Sequence, residues 1–502
     1  MENDQTVFQN PNPKPVQDNS QNINPFTGPS ANQSPFQPIA QPIPVVQPVP
    51  KVQETPVPPR SVVEGGGGRK FSAKMILRVL IGLIVLVVVA AVVYFMATTL
   101  FSNKSPEDGN AEIVFWGLWE DGKTMQVIID DFQRLNPNIK VKYQKQDIKQ
   151  YRETLTTRIE NGNGPDVYYF HNSWYPMFSS LLLPFPSDTI SKDDFLNSFY
   201  PTTQKDLVKN GAIYGVPMGM DTLAMYVNKD IFASAGLSYP KTWNDFIDSA
   251  RTLTVKDEEG KIKTSGAAMG TFENVTHAPD ILSLLFLQNG ASFEDLEGSK
   301  DRFIGGLNFY SSFAKDTNNV WDSTLDPSLL AFSKGNLAMY FGYSWDFFTI
   351  KAFNPTLNFE ITTVPQLPNQ SINMASYWAA GVSAKSLYQK QALKFVAYLA
   401  TKEVEEKMYS EQSKQRVFGQ PFARVDLLET VKDNPFVYPI LLQAQTAESS
   451  AFVDSTSDNG LNQELNTYLG NAVNSIYNGS SMDSAFDTFS QGVLQVLQKY
   501  GQ

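Results

Sequence analysis

Trp116, Trp119, Glu120 and Asp121 crowd the end of a short β-rich run, and His171, Asn172, Ser173 and Trp174 follow a second apolar run. Flat rings beside carboxylates and amides suit a ligand that is polar at its rim and apolar on its faces. Ionised acceptors make the stronger hydrogen bonds, and aromatic side chains bring a large apolar area with a fixed shape. Bond-making chemistry is poorly provided for. The chain has no cysteine and two histidines, His171 and His277. That excludes disulfides, thiol nucleophiles and thiolate zinc sites. There is no Gly-x-Ser-x-Gly elbow, no His-Glu-x-x-His pair and no Gly-rich phosphate loop. Residues 454–460 have a faint look of a calcium loop, but Asn459 stands where the loop needs glycine and Leu465 where it needs a bidentate acid. No cofactor is expected.

The elements that must position these residues alternate. Residues 112–116 read as a strand. Met125, Ile128, Phe132 and Leu135 then recur at helical spacing until Asn136-Pro137 stops them. Ile139, Val141 and Tyr143 alternate as in a strand; Ile148, Tyr151, Leu155 and Ile159 return to helical spacing; 166–170 is another apolar strand. Strand–helix–strand–helix–strand means a parallel sheet with right-handed crossovers. Ligands of such sheets bind beyond the carboxyl ends of the strands, which here are 116–121 and 171–174. Further on, Thr242 with Asp245 reads as a helix cap with its reciprocal acid. Residues 257–261 read as a hairpin turn, 336–341 as a strand, Gly342 to Trp345 as the opening of a helix, and 461–497 as mostly helix. Bland roles compete at several positions. Trp116 suits the core under the sheet as well as a ligand wall, Glu120 and Asp121 suit a helix N-terminus, His171 suits a structural role, and Trp243 suits packing.

The chain is built of unlike parts. Arg69, Lys70, Lys74 and Arg78 lead into a run without charge from Val79 to Phe101. A helix needs roughly 20 apolar residues to cross a bilayer, so 74–101 is expected to span one, and the basic collar keeps residues 1–70 in the cytoplasm. A cleaved signal would be shorter and would start the chain. The 1–70 tail is rich in Pro, Gln, Asn and Ser and is expected to be disordered. Residues 102–111 form a linker. The exported remainder, about 390 residues, exceeds one ordinary core and suggests two lobes. Setting aside the residues before Val79 leaves a net charge of −13, which argues against nucleic acid as a partner.

Five segments carry a family likeness: IVFWGLWEDG with a following helix ending LNPNIKV; NGNGPDVYYF; GAIYGVPMGMDTLAMYVNKDIFASAGLSYPKTWNDFIDSARTLT; AFSKGNLAMYFGYSWDF; and YWAAGVSAKS. In this order they resemble the bacterial extracellular solute-binding proteins of sugar ABC transporters, the group that includes maltose-binding protein. The resemblance runs over nearly all of 111–502. It implies an α/β, two-lobed periplasmic-binding-protein fold (type II) that closes about a hinge. The chain would cross near 220–226 and again near 377–381. One lobe would take 112–221 plus 382–424, the other 222–380 plus 425–502. It further implies sugar-binding roles for Asp221 at the first crossing and Trp345 on the far lobe; Tyr343 beside Trp345, and Tyr377 and Trp378 at the second crossing, are candidates by their position. These join Trp119, Glu120, Asp121, Asn172, Ser173 and Trp174.

The function implied is that of a monomeric, membrane-anchored, extracytoplasmic receptor. It would capture a sugar or oligosaccharide and hand it to an ABC transporter permease, without catalysis. Two alternatives follow from the same residues. A ligand-sensing ectodomain would signal through the helix to a cytoplasmic partner on the tail. A carbohydrate-active enzyme would use Glu120 or Asp121 with Asp221 as its two carboxylates.

Overall fold

A computed structural model describes residues 110–315 and 318–501, together with 87, 88 and 91. The expected tail and most of the expected membrane helix and linker lie outside the described residues. Among the described residues no helix is long and apolar enough to cross a membrane.

Two sheets organise residues 110–501. The first runs, in order, Ile139–Lys145, Ala111–Gly117, Val167–His171, Trp378–Val382 and Val216–Pro217. Its first three strands are parallel, with Ile113 opposite Val141 and Phe115 opposite Val167. The strand Trp378–Val382 returns antiparallel to Val167–His171. The whole of that strand therefore belongs to the first sheet, and a lobe boundary at 380 would divide it.

Helix Gly122–Leu135 buries Met125, Ile128, Ile129 and Phe132 against this sheet. Leu135, which the spacing assigns to the same stripe, faces solvent at the helix end. The next helix is Tyr151–Glu160, burying Tyr151, Leu155 and Ile159. Ile148 precedes it, because Gln150 turns left-handed at φ 58° and starts the helix later than the apolar spacing implies. Helices Gln389–Leu399 and Lys402–Ser413 pack on the same lobe. Phe395 brings its ring within 5.5 Å of Phe115 and 4.9 Å of Phe132.

The second sheet runs Phe359–Thr362, Ala224–Asn228, Leu337–Gly342, Ile262–Ala267 and Val255–Lys256. The hairpin expected at 257–261 joins its last two strands. Helix Trp243–Leu253 covers this sheet and starts with the anticipated capping box, Thr242 and Asp245 bonding reciprocally. Trp243 is buried, and its indole N–H donates to Gln288 Oε1 at 2.6 Å. Helices Leu461–Tyr477 and Met482–Lys499 pack against Ala278–Gln288 and Lys300–Ser311.

Between the sheets lies a small third one. Asp221–Thr222 pairs antiparallel with Asn373–Ser376, and Asn373–Ser376 pairs parallel with Ala447–Glu448. Three segments thus meet in this sheet, where the sequence suggests two crossings, and the second expected crossing, 377–381, falls mostly in the first sheet. The third segment is only two residues long and has no apolar pattern to betray it.

Candidate functional site

The first strand ends at Gly117, and the turn after it is pinned from the neighbouring strand. Tyr143 OH donates to the Glu120 carbonyl at 2.8 Å, and Lys145 Nζ to the Trp119 carbonyl at 3.0 Å. Gly117 makes room for this: a Cβ there would sit 2.6 Å from the Tyr143 ring. Asp121 caps the following helix, accepting from the Lys123 and Thr124 amides at 2.8 Å each. Those bonds, the Thr124 amide's foremost, hold its carboxyl below the usual range. With the turn fixed, Trp119 projects with 45% of its surface exposed and meets Trp378 edge-on at 5.6 Å. Glu120 turns inward. It is 4% exposed, its Oε2 has no hydrogen-bond partner, and burial raises its pKa.

From the opposite lobe, Trp345 comes at the end of the segment after Leu337–Gly342. It stacks on Tyr343 at 4.4 Å and 17° and keeps 38% of its surface exposed. Tyr343 itself is buried beneath it, its hydroxyl on Asp280 Oδ1 at 2.6 Å.

The small third sheet and the strand that follows it supply the floor. Asp221 accepts from the Ser344 amide at 3.2 Å and from the Ser344 hydroxyl, so an acid of one crossing strand is bonded to the second lobe. Burial pushes Asp221 up to about 7, against the Ser344 bonds, with the charge of Asp346 adding to the rise. Tyr377 points its hydroxyl to Asp206 at 2.8 Å. Trp378 is backed by His171 at 5.2 Å and Trp174 at 5.1 Å. His171 bonds Ser173 and Ser376 through its two ring nitrogens, and burial lowers its pKa to about 3, so the ring is neutral.

These surfaces enclose a cavity of about 520 Å³, a size ordinary for small-molecule sites. Trp119, Glu120, Asp121, Asp221, Trp345, Tyr377 and Trp378 all line it. The structure places the other sequence candidates behind the wall. Asn172 bonds Asp206 and Ser449, Ser173 bonds His171 and Asn462, Trp174 is fully buried, and Tyr343 lies under Trp345. Trp116, for which core and ligand wall compete in the sequence, is buried and bonds Gln144 at 2.8 Å.

Several lining residues carry no signal in the sequence: Lys145, Phe348, Ser376, Arg416 and Asp454. Arg416 lies 5.0 Å over the Phe348 ring from the other lobe, and its charge acts on Glu120. A second, more open groove of about 810 Å³ adjoins the cavity and shares Asp454 and Ser455 with it. The segment they begin carries Ser455, Ser457 and Asn459 at positive φ. Asp458, within the discarded calcium-loop segment, has a plain structural job: its carboxylate accepts from the Asn462 and Gln463 amides at the start of Leu461–Tyr477.

Residues 116–406 match the family described as bacterial extracellular solute-binding protein. A multiple sugar-binding protein of Streptococcus mutans is 26% identical over 339 residues, covering 64% of this chain and 77% of its own. A maltooligosaccharide ABC transporter solute-binding lipoprotein of Streptococcus pneumoniae is 25% identical over 270 residues, covering 51% of this chain and 60% of its own. Among solved structures, a cyclo/maltodextrin-binding protein complexed with maltotetraose superposes with a TM-score of 0.64 at 17% identity, over 79% of this chain and 99% of that one. The sugar-binding protein MalE of Xanthomonas citri gives 0.65 at 19% identity, over 77% and 98%. The two-lobed α/β fold is shared with both.

Proposed function

Because the chain belongs to the bacterial extracellular solute-binding protein family, we propose that it captures a sugar or oligosaccharide between its lobes and delivers it to an ABC transporter permease. The observation that carries this reading is that Trp119 of the first lobe and Trp345 of the second line one cavity together with the buried acids Glu120 and Asp221. Rings would lie on the C–H faces of a sugar, and the acids would accept its hydroxyl protons. Seven residues form the ligand surface: Trp119, Glu120, Asp121, Asp221, Trp345, Tyr377 and Trp378. Asn172, Ser173, Trp174 and Tyr343 serve it from behind. The sugar-binding names of the relatives support capture over hydrolysis.

The same reading includes tethering. The basic collar and apolar run of 74–101 would hold the module on the outer face of the membrane, with 1–70 inside. A tether of about ten residues reaches roughly 35 Å at most, which keeps the module near a permease and raises its effective concentration there. The test is a thermal-shift screen of the full-length chain in detergent against mono- and oligosaccharides. A ligand of the native state must raise the melting temperature. No shift with any sugar at millimolar concentration would refute sugar capture.

A further inference from the structure

His277 has no part in the ligand surface described above, yet it sits directly behind it. Its ring is 2% exposed and stands edge-on to both stacked rings, 5.1 Å from Tyr343 at 89° and 6.1 Å from Trp345 at 75°. Its Nε2 lies 2.9 Å from Asp346 Oδ2, and its Nδ1 faces Asp454 Oδ2 at 3.4 Å, an ion-pair contact rather than a hydrogen bond. Asp346, with a third acid, Asp280, also holds Tyr343 beneath the Trp345 ring. Asp346 accepts from Tyr340 OH at 2.9 Å and from the Tyr343 amide at 3.1 Å. Asp280 accepts from Tyr343 OH at 2.6 Å and from the Asp454 amide at 2.9 Å. Asp454, with its side chain partly exposed, lines the cavity and the adjoining groove alike.

We propose that His277 is a positioning residue that locks the Trp345 platform and Asp454 into one unit, so that the stacking surface and a neighbouring acceptor meet the ligand in fixed relation. This rests on the capture reading above. Three arguments favour it over simple core filling. Gathering the buried acids Asp280 and Asp346 near one buried imidazole is costly, since buried charges lose their hydration, and the fold places that cost beside the cleft. His277 also holds a left-handed backbone, φ 62°, at the start of Ala278–Gln288. Non-glycine residues there are uncommon and persist where surroundings hold them. Finally, the network ends on an accessible carboxylate. Burial opposes charge on His277, but Asp346 and Asp454 raise its pKa well above the ordinary value; burial likewise pushes Asp454 up, and His277 overcomes that and holds it down to about 2. The groups beside the ring are thus Asp346, Asp454, Tyr343 and Trp345, with Asp280 acting on it through charge, and Asp454 is kept as an ionised acceptor.

The test uses the full-length chain with the best sugar of the screen. His277→Asn, Asp454→Asn and the double variant are compared by calorimetric titration at a temperature where each is folded. Asn tolerates the left-handed backbone. Each single variant is expected to bind at least tenfold more weakly, and the double variant no more weakly than the worse single. The emission of Trp345, isolated by difference against Trp345→Phe, is expected to shift in His277→Asn without any sugar. Parental affinity in His277→Asn, or losses that multiply in the double variant, would overturn the proposal. If the parent binds no sugar, the capture reading fails by itself. The Trp345 emission then decides, and an unshifted spectrum overturns the positioning role. If His277→Asn does not fold, Asp454→Asn decides: parental affinity there removes the acceptor and the proposal with it.

Discussion

Replacing Asp221 by Asn should make the free protein more stable as pH rises, which is an unusual direction for the loss of an acid. The carboxyl is 7% exposed and its pKa climbs from 3.8 to about 7. At low pH it is protonated in both folded and unfolded chains and contributes nothing through ionisation. Between about pH 4 and 7 the unfolded chain releases the proton while the folded chain keeps it, so unfolding is favoured. A tenfold difference in proton affinity between the two states is worth about 1.4 kcal/mol. A folded-state pKa of about 7 in place of 3.8 therefore corresponds to ~4 kcal/mol lost by pH 8. Asn fits the site: its oxygen can accept from the Ser344 amide and its N–H₂ can donate to the Ser344 hydroxyl. The stability difference, variant minus parent, should therefore be lowest near pH 4 and grow by a few kcal/mol toward pH 8. Urea denaturation at half-unit pH steps measures it, and the comparison cancels Asp280 and Glu405, whose raised pKa values affect both proteins. Above about pH 7, where the folded carboxyl is ionised, the sugar affinity should move the other way, falling about tenfold in the variant, because a charge-assisted bond is replaced by a neutral one. A difference that stays flat from pH 4 to 8, or that shrinks as pH rises, would refute the reasoning.

Trp345→Ala should weaken sugar binding by about 2 kcal/mol or more, roughly thirtyfold, as a ring anchor at the centre of a contact surface does. Its partial exposure predicts only a small change in the melting temperature of the free protein, and titration calorimetry with a melt checks both. Thr242→Ala removes one side of the capping box at Trp243–Leu253. It should cost about 1 kcal/mol of stability and leave the sugar affinity at its parental value, which denaturant curves and the same titration separate.

What the sequence discloses follows the range of the interactions involved. The parallel βαβ opening is legible because Met125, Ile128 and Phe132 keep a 3.6-residue spacing and Ile139 and Val141 a spacing of two. The Thr242 cap is legible because both its bonds are made within three residues. Trp119 is legible because it falls past a strand end in a polar turn. Trp174 satisfies the same rule, yet it is turned into the core by the short helical turn Asn172–Trp174 and stacks on Phe178 at 5.5 Å. Composition and strand-end position cannot tell these two tryptophans apart. Arg416 and Asp454 reach the cavity from irregular segments far along the chain, without a periodic pattern, and their proximity to Glu120 and His277 is created only by the packing of the lobes.

The hinge explains why one acid can serve both structure and ligand. Asp221 lies in the crossing strand, opposite Ser376, while its carboxyl is bonded to Ser344 of the second lobe. The protein's own groups therefore fix its orientation before any sugar arrives, and a carboxylate with two lone pairs on each oxygen retains capacity for a sugar hydroxyl. Trp119 and Trp345 differ from it. Trp119 is backed by Trp378, and Trp345 by Tyr343 with His277 beside it, and each leaves a large apolar face partly uncovered. Under the capture reading, a sugar lying between those faces would cover both at once only when the lobes are close, and would bind that arrangement better than an open one. That difference in affinity is what would drive closure.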